Sequence, residues 1–359
     1  MPSRDFTADR RRLTSLRLSA LGIAKPSAST PVDAVRHLLA LQGQDYAGAL
    51  WSIGLRTPGT TVSDVEAALD RGDIVRSWPF RSTLHVVAAE DLGWMIALTA
   101  DRELAAAAGR HRQLGLTAAD FDRAERIVRD RLQGGVRAER KQLLAAIEND
   151  GLSIEGQRGA HLLGRLAQAG VAVLCGQHTW TLLDDHVRAP RVLDREAALS
   201  EIARRYLTAR GPATERDLAW WTGLKLTDAR AAIASVDDEF DRLELDGVTY
   251  RLPPGLEEAP DGVHALPGFD EYLLGYADRS APLAGRHLST VVPGSNGMFL
   301  STIVVNGEIV GTWRRTAKAK VVQITVEPLG TLTASSRKGF ERAAGAYGDY
   351  LGLPVVFAP

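Results

Sequence analysis

Two glutamines and an aspartate stand close together in Leu41-Gln42-Gly43-Gln44-Asp45. In an extended loop, residues two apart point to the same side, so Gln42 and Gln44 can present two side-chain amides to one small volume. Each amide both donates and accepts, and the pair can orient a water while holding a sugar or phosphate oxygen. Neither is a useful proton acceptor near neutral pH. The chemistry open to them is positioning and electrostatic stabilisation, which need no shifted pKa. Such a pair suits a leaving group that already carries positive charge. An N7- or N3-alkylated purine departs from its sugar as a neutral base without acid assistance, whereas an ordinary N-glycosidic bond needs an acid. Asp45, with Asp270 and Glu271, supplies the carboxylates that fall within recognisable motifs, and Asp45 stands as the alternative water-activating base. No nucleophilic Lys motif is recognisable, which agrees with hydrolysis and no strand cleavage. Taken alone, Gln-x-Gln also fits two glutamines capping helix ends in a polar loop.

The remaining composition narrows the chemistry further. A single cysteine among 359 residues excludes an intramolecular disulfide, a thiolate zinc cage and a cysteine-held iron–sulfur cluster. The eight histidines are scattered without a His-x-x-x-His or His-Glu-x-x-His spacing, so neither metal nor other cofactor is expected. With 45% hydrophobic and 24% charged residues, the chain reads as folded and globular, and its length calls for two or three domains. Residues 1–12 are polar and Arg-rich, and no apolar run reaches bilayer length, so a cytoplasmic, non-membrane protein is expected. A net charge of −1 argues against a general DNA coat but leaves room for a local basic groove.

Around the glutamines, the sequence repeats one outline: helix, helix-turn-helix, short hairpin. It is clearest over 137–183, with helices at 139–148 and 157–169, a C-terminal cap at Gly170, and strands 171–174 and 179–183 around Gly176-Gln177-His178. A second copy spans 194–252. There Thr214 and Asp217 form a capping box, Thr227 opens a further helix, and strands 240–245 and 248–252 turn on Asp246-Gly247. A looser copy at the start has helices at 32–41 and 47–55, Ser63 capping 64–69, and strands 74–78 and 82–87. The expected partition is therefore winged helix 1 with the Gln-x-Gln segment over 1–90, a helical connector over 91–136, and winged helices over 137–190 and 191–254. A mixed α/β domain follows over 255–359, with a hairpin on Asn306-Gly307, a strand at 321–328 and a closing helix at 335–351.

Several motifs go beyond this outline. Leu41-Gln42-Gly43-Gln44-Asp45 is followed by Trp51, Arg56 and Arg81-Ser82-Thr83-Leu84-His85-Val86-Val87. Further along stand Asp217-Leu218-Ala219-Trp220-Trp221-Thr222-Gly223, Leu266-Pro267-Gly268-Phe269-Asp270-Glu271-Tyr272-Leu273-Leu274 and Gly311-Thr312-Trp313-Arg314-Arg315. In this order, from residue 41 to 315, the set resembles the AlkZ family of winged-helix DNA glycosylases. The resemblance implies an α+β fold of tandem winged helices around a concave DNA-binding channel. It also implies a catalytic Gln-x-Gln pair at Gln42 and Gln44 and a β-hairpin that probes the duplex near the lesion. Substrates implied are N7-alkylguanines and, in some members, interstrand crosslinks. A sister branch carries Gln-x-Asp; Gln44 puts this chain in the Gln-x-Gln branch.

The expected partner is double-stranded DNA with an alkylated purine, bound by a monomer at the nucleoid. Arg314, Arg315, Lys318 and Lys320 beside the Asn306-Gly307 hairpin are candidates for phosphate contacts, or else for the charged guard of an edge strand. Ser295 and Asn296, in the glycine-rich tip 293–297, are candidates for a groove probe or part of a surface loop. Arg81 and His85 on the first wing are candidate DNA contacts, although a histidine there is more commonly half-buried and satisfied; Gln157, Arg158 and Arg165 on the second unit's helix are candidate contacts or else the wet face of an amphipathic helix. The rival functions are a non-catalytic winged-helix regulator and a scaffold that uses the same units for protein contacts.

Overall fold

The protein is described from a computed structural model that covers residues 7–294 and 297–358. The chain forms two compact units, one of residues 1–65 with 200–359 and the other of residues 66–199. Its architecture is mixed α+β. No described helix is long and apolar enough to cross a membrane.

In the first unit a sheet runs in the order Val355–Phe357, Val322–Pro328, Glu308–Ala317, Thr302–Val305, Val263–Leu266. Neighbouring strands are antiparallel except Val355–Phe357, which lies parallel to Val322–Pro328. The turn residues Asn306 and Gly307 take φ of 49° and 87°, as the sequence predicts for a type I′ hairpin. Helix Ala334–Leu351 lies directly on the sheet. A Cβ at Gly339 would stand 2.6 Å from Val263, so a side chain there would push the helix off the strand. Trp313 fills the layer between them, with Phe340 and Tyr347 at its ring edges. Helix Tyr46–Arg56 is tied to the same sheet by the Trp51 indole N–H, which donates to the Ala265 carbonyl at 3.1 Å.

The capping box of Thr214 and Asp217 forms as expected, at the start of helix Glu215–Thr222, and the Asp241–Leu245 and Val248–Leu252 hairpin turns on Asp246 and Gly247. Three local expectations change. Thr227 lies inside helix Leu226–Ala234, whose N-cap is Lys225. Thr61 rather than Ser63 stands before helix Val62–Arg71, its amide and hydroxyl both donating to Asp64. The helix expected over 32–41 stops at Leu38, Leu39 turns to φ 65°, and Ala40–Gln42 is extended. That last change has a tertiary cause, given below.

The second unit holds antiparallel strands in the order Thr83–Ala88, Ile74–Phe80, Ala172–Leu174, Thr179–Leu182, Ala138–Glu139. The strands read from the sequence as the first wing thus pair with Ala172–Leu174 in this unit. The connector forms two helices, Leu92–Gln113 and Ala118–Leu132, the latter opened by a Thr117–Asp120 capping box. Helices Arg140–Asn149 and Arg158–Gln168 follow, and Gly170 takes φ 70° after the second. Leu143, Ile147, Leu162, Leu163, Leu166 and Trp180 belong to one continuous core.

His264, on Val263–Leu266, is a cost built into the first unit. Burial lowers its pKa to about 4, and its Nε2 takes no hydrogen bond among the described residues. Its folded pKa lies below the ordinary 6.5, so the neutral ring's contribution is fully present above about pH 6.5 and is lost as pH falls towards 4. Urea denaturation of the wild type should therefore show stability declining across that window, with a shallower decline in His264→Gln. Identical slopes would contradict the burial cost.

Candidate active site

Gln42 is buried and Gln44 is exposed. The Gln42 Nε2 donates to Gln44 Oε1, and the Gln44 backbone N–H donates to Gln42 Oε1 at 3.0 Å. Gln42 is thereby committed to its neighbour, whereas Gln44 Nε2 has no hydrogen-bond partner among the described residues. The two amides share one microenvironment, and the outward one is aimed by the inward one. Neither caps the following helix. Asp45 does, accepting from the Gly48 N–H at 3.1 Å, which settles the alternative reading of the two glutamines as caps.

The extended shape of this segment is imposed from a distance. Arg210, fully buried, donates to the carbonyls of Leu38 and Ala40, each at 2.8 Å. Its Nε and Nη2 reach Glu271 Oε2 at 3.0 and 2.7 Å, and the Trp221 indole donates to the same oxygen at 2.8 Å. The other Glu271 oxygen accepts the Gln42 backbone N–H at 3.3 Å. A helix continuing through Leu41 would need the Leu38 carbonyl and the Gln42 amide for its own 1→5 bond. Arg210 and Glu271 take both, so the helix ends and the chain passes extended through Gln42.

The neighbouring motif Pro267-Gly268-Phe269-Asp270-Glu271 supplies the rest of the frame. A Cβ at Gly268 would stand 2.7 Å from the Phe299 carbonyl, so only glycine lets these two stretches approach. Phe269 takes φ 62°, a left-handed conformation that a bulky aromatic rarely adopts. Asp270 accepts from Arg56 Nη1 and Nη2 at 3.0 and 3.1 Å, from Ser52 at 2.8 Å and from the Tyr272 amide at 3.0 Å. Burial alone would raise its carboxyl pKa, but the Arg56 charge and these hydrogen bonds hold it below the ordinary range.

An open cleft of about 630 Å³ lies beside Gln44, lined by Asp45, Phe269, Met298, Phe299, Trp313 and Arg315 among others. At its edge, Arg315 Nη2 pairs with both Asp45 oxygens at 2.8 and 2.6 Å. Arg314 pairs with Glu327 at 2.7 Å but remains largely exposed, as do Lys318 and Lys320 on the run leading to Val322–Pro328. Gln42, Gln44, Asp45 and Arg315 are thus brought together.

The other expected contacts lie elsewhere, in the second unit. Arg81 and Ser82 take φ of 52° and 50° at the turn between Ile74–Phe80 and Thr83–Ala88. His85 is fully buried with Nδ1 on the Thr83 carbonyl at 2.8 Å, which corrects the expectation that it touches DNA, since its ring is not at the surface. Gln157 is exposed and accepts from Arg110, Arg158 holds the Leu114 and Ser153 carbonyls, and Arg165 is half-exposed on helix Arg158–Gln168. Ser295 and Asn296 lie outside the described residues.

The AlkZ-like DNA glycosylase profile matches residues 35–350, which includes every residue of this site. The chain belongs to the AlkZ-like DNA glycosylase family. It is accordingly an enzyme of DNA repair, a hydrolase acting on N-glycosyl bonds. It is similar to the interstrand DNA cross-link repair glycosylase of Streptomyces sahachiroi, at 25% identity over 311 residues, covering 80% of this chain and 82% of that one. In fold it is similar to the solved structure of the DNA glycosylase AlkZ from the same organism, with a TM-score of 0.79 at 22% identity, covering 97% of this chain and 99% of the other.

Sequence reasoning passed over Arg210, Phe269, Met298 and Phe299. Phe269 stands in a motif quoted for the family resemblance, but nothing in residue type announces a positive φ. Arg210 carried no signal beyond a charged residue at the end of a long helix. Removing one partner of a buried ion pair leaves the other charge uncompensated. Glu271→Leu is therefore expected to lower unfolding free energy by about 3–5 kcal/mol. Gly268→Ala should cost about 1–3 kcal/mol through crowding. Chemical denaturation reads both, and a near-neutral Glu271→Leu would remove the Arg210–Glu271 pair from its structural role.

Proposed function

We propose that this family member is a monofunctional glycosylase for cationic alkylated purines of the N7-alkylguanine type, with Gln42 and Gln44 acting at the sugar. The observation that carries this reading is the amide pair itself: Gln42 is locked onto Gln44, and Gln44 lines the cleft with its Nε2 lacking a protein partner among the described residues. In the reaction the C1′–N9 bond breaks, its electron pair goes to the positively charged base, and the base leaves neutral. Water adds to C1′ and gives its proton to solvent. Gln44 Oε1 keeps a second lone pair that can accept the water's O–H, while Nε2 can donate to a sugar or phosphate oxygen. No general acid is required. Asp45, whose oxygens are engaged by Arg315 and the Gly48 amide, acts by holding Arg315 at the cleft's edge rather than as the base.

The same reading takes 1–90, 137–190 and 191–254 as winged-helix units, joined by the connector 91–136, that with the mixed domain 255–359 form a concave channel for duplex DNA. Arg314, Arg315, Lys318 and Lys320 would meet phosphates there, and Arg81, Gln157, Arg158 and Arg165 would supply further contacts. The protein would act as a monomer at the nucleoid. The Streptomyces relative is named for interstrand cross-link repair, and an open cleft beside Gln44 supports extending that substrate class to this chain.

The test is a duplex carrying 7-methylguanine. The wild type should release the free base and leave the backbone intact. Gln44→Ala should lose about a hundredfold or more in rate, the scale of one lost donor at a developing charge, with duplex affinity kept within about threefold. Binding without release by the wild type would favour a regulator, and full activity in Gln44→Ala would remove the amide pair from the mechanism.

A further inference from the structure

We infer that Phe269 and Phe299 form an aromatic seat for the positively charged base, and that Phe269 sets how large and flat an N7 substituent this enzyme accepts; the inference rests on the glycosylase reading above. Phe269 pairs three properties that packing alone does not explain. Its backbone is in the left-handed region at φ 62°, its side chain is only partly buried, and it lines the cleft that Gln44 faces. A core aromatic gains from being covered, and this one is strained yet left partly exposed. Strain of this kind persists where the surrounding structure imposes it, and such positions cluster at ligand sites.

Both flanks are fixed. Gly268 is pressed against the Phe299 carbonyl, and Asp270 is tied to Arg56 and Ser52. Between these anchors the chain has one residue in which to turn, and the turn directs the Phe269 ring towards Phe299, centroids 5.9 Å apart at 50°. The second ring is itself backed. The Arg279 guanidinium lies 5.1 Å from the Phe299 centroid and 4.5 Å from that of Trp220, with its Nε donating to the Leu273 carbonyl at 3.2 Å. Phe299 is therefore held in place, Phe269 is the ring left partly open to the cleft, and the exposed thioether of Met298 adds an adaptable apolar surface to the same wall.

An aromatic face attracts a cation through its quadrupole, and a flat base gains stacking area as well. An N7-alkylated purine is both before it leaves. As the C1′–N9 bond breaks, positive charge passes from base to sugar, so the attraction belongs to the bound substrate more than to the transition state. Its signature is a change in substrate affinity with little change in maximal rate. Extending the substituent from methyl to a flat aromatic group adds contact with the Phe269 ring, which makes this residue a discriminator between adducts.

Phe269→Gly tests this with duplexes carrying 7-methylguanine or 7-benzylguanine, each followed by single-turnover base release over a range of enzyme concentrations. The half-saturating concentration should rise about tenfold for the benzyl adduct and about threefold for the methyl adduct, with the maximal rate within about twofold. Glycine adopts a positive φ without strain, which offsets part of the packing lost with the ring. Phe269→Leu, which keeps apolar bulk and removes the π face, reads the same split if the glycine variant does not fold. Equal shifts for both adducts, or a loss confined to the maximal rate, would overturn the seat. Wild-type release with unshifted variants defeats this inference alone, whereas no wild-type release of either base defeats the glycosylase reading with it.

Discussion

The buried pair of Arg210 and Glu271 decides the shape of everything around the glutamines. Arg210 holds the carbonyls of Leu38 and Ala40, and Glu271 holds the amide of Gln42. Three backbone groups of one short segment are thus satisfied by two side chains more than 160 residues away in sequence, at separations of 172, 170 and 229. Without them those groups would return to the helix that residues 31–38 begin, and Gln42 would turn with it. Two opposite charges fully out of water are costly to assemble, and their attraction offsets that cost only when the remaining hydrogen-bonding capacity is used. Here the Trp221 indole and three main-chain groups use it.

A second buried pair stands beside the first in sequence. Asp270 meets Arg56 at the end of the helix that Asp45 caps, while Glu271 meets Arg210. Adjacent carboxylates thereby fasten two different helices, Tyr46–Arg56 and Arg195–Arg210. The dipeptide acts as a rivet, and its rigidity passes to Phe269 immediately before it. Backbone strain at Phe269 is tolerable because neither neighbour can move to relieve it.

The chemistry suits this rigidity. In the proposed mechanism two neutral amides contribute through placement, and placement loses value steeply with small displacements. A site based on a titrating acid would need a pKa tuned by burial or neighbouring charge. The proposed one needs a fixed distance between Gln42 and Gln44, and the buried Arg210–Glu271 pair holds the backbone that carries Gln42. Of the charged groups that line the cleft, Asp45 and Arg315 are paired with each other and Arg314 is paired with Glu327.

Local signals in the sequence determined a good part of this molecule. The Asn306-Gly307 and Asp246-Gly247 hairpins, the Thr214–Asp217 capping box and the cap at Gly170 are each set by a few neighbouring residues, and each is found where its signal stands. The Gln-x-Gln segment was legible as two amides two residues apart for the same reason. Beyond the reach of local reading were the early end of the helix at Leu38, the strands Val263–Leu266 and Val355–Phe357, and the strained ring of Phe269. Those depend on which distant groups claim a carbonyl or an amide, and a single chain read in order does not reveal the claimant. What tertiary structure decided, then, is that Gln42, Arg210 and Glu271 converge, because a buried backbone group must find a partner and the nearest one in space is far away along the chain.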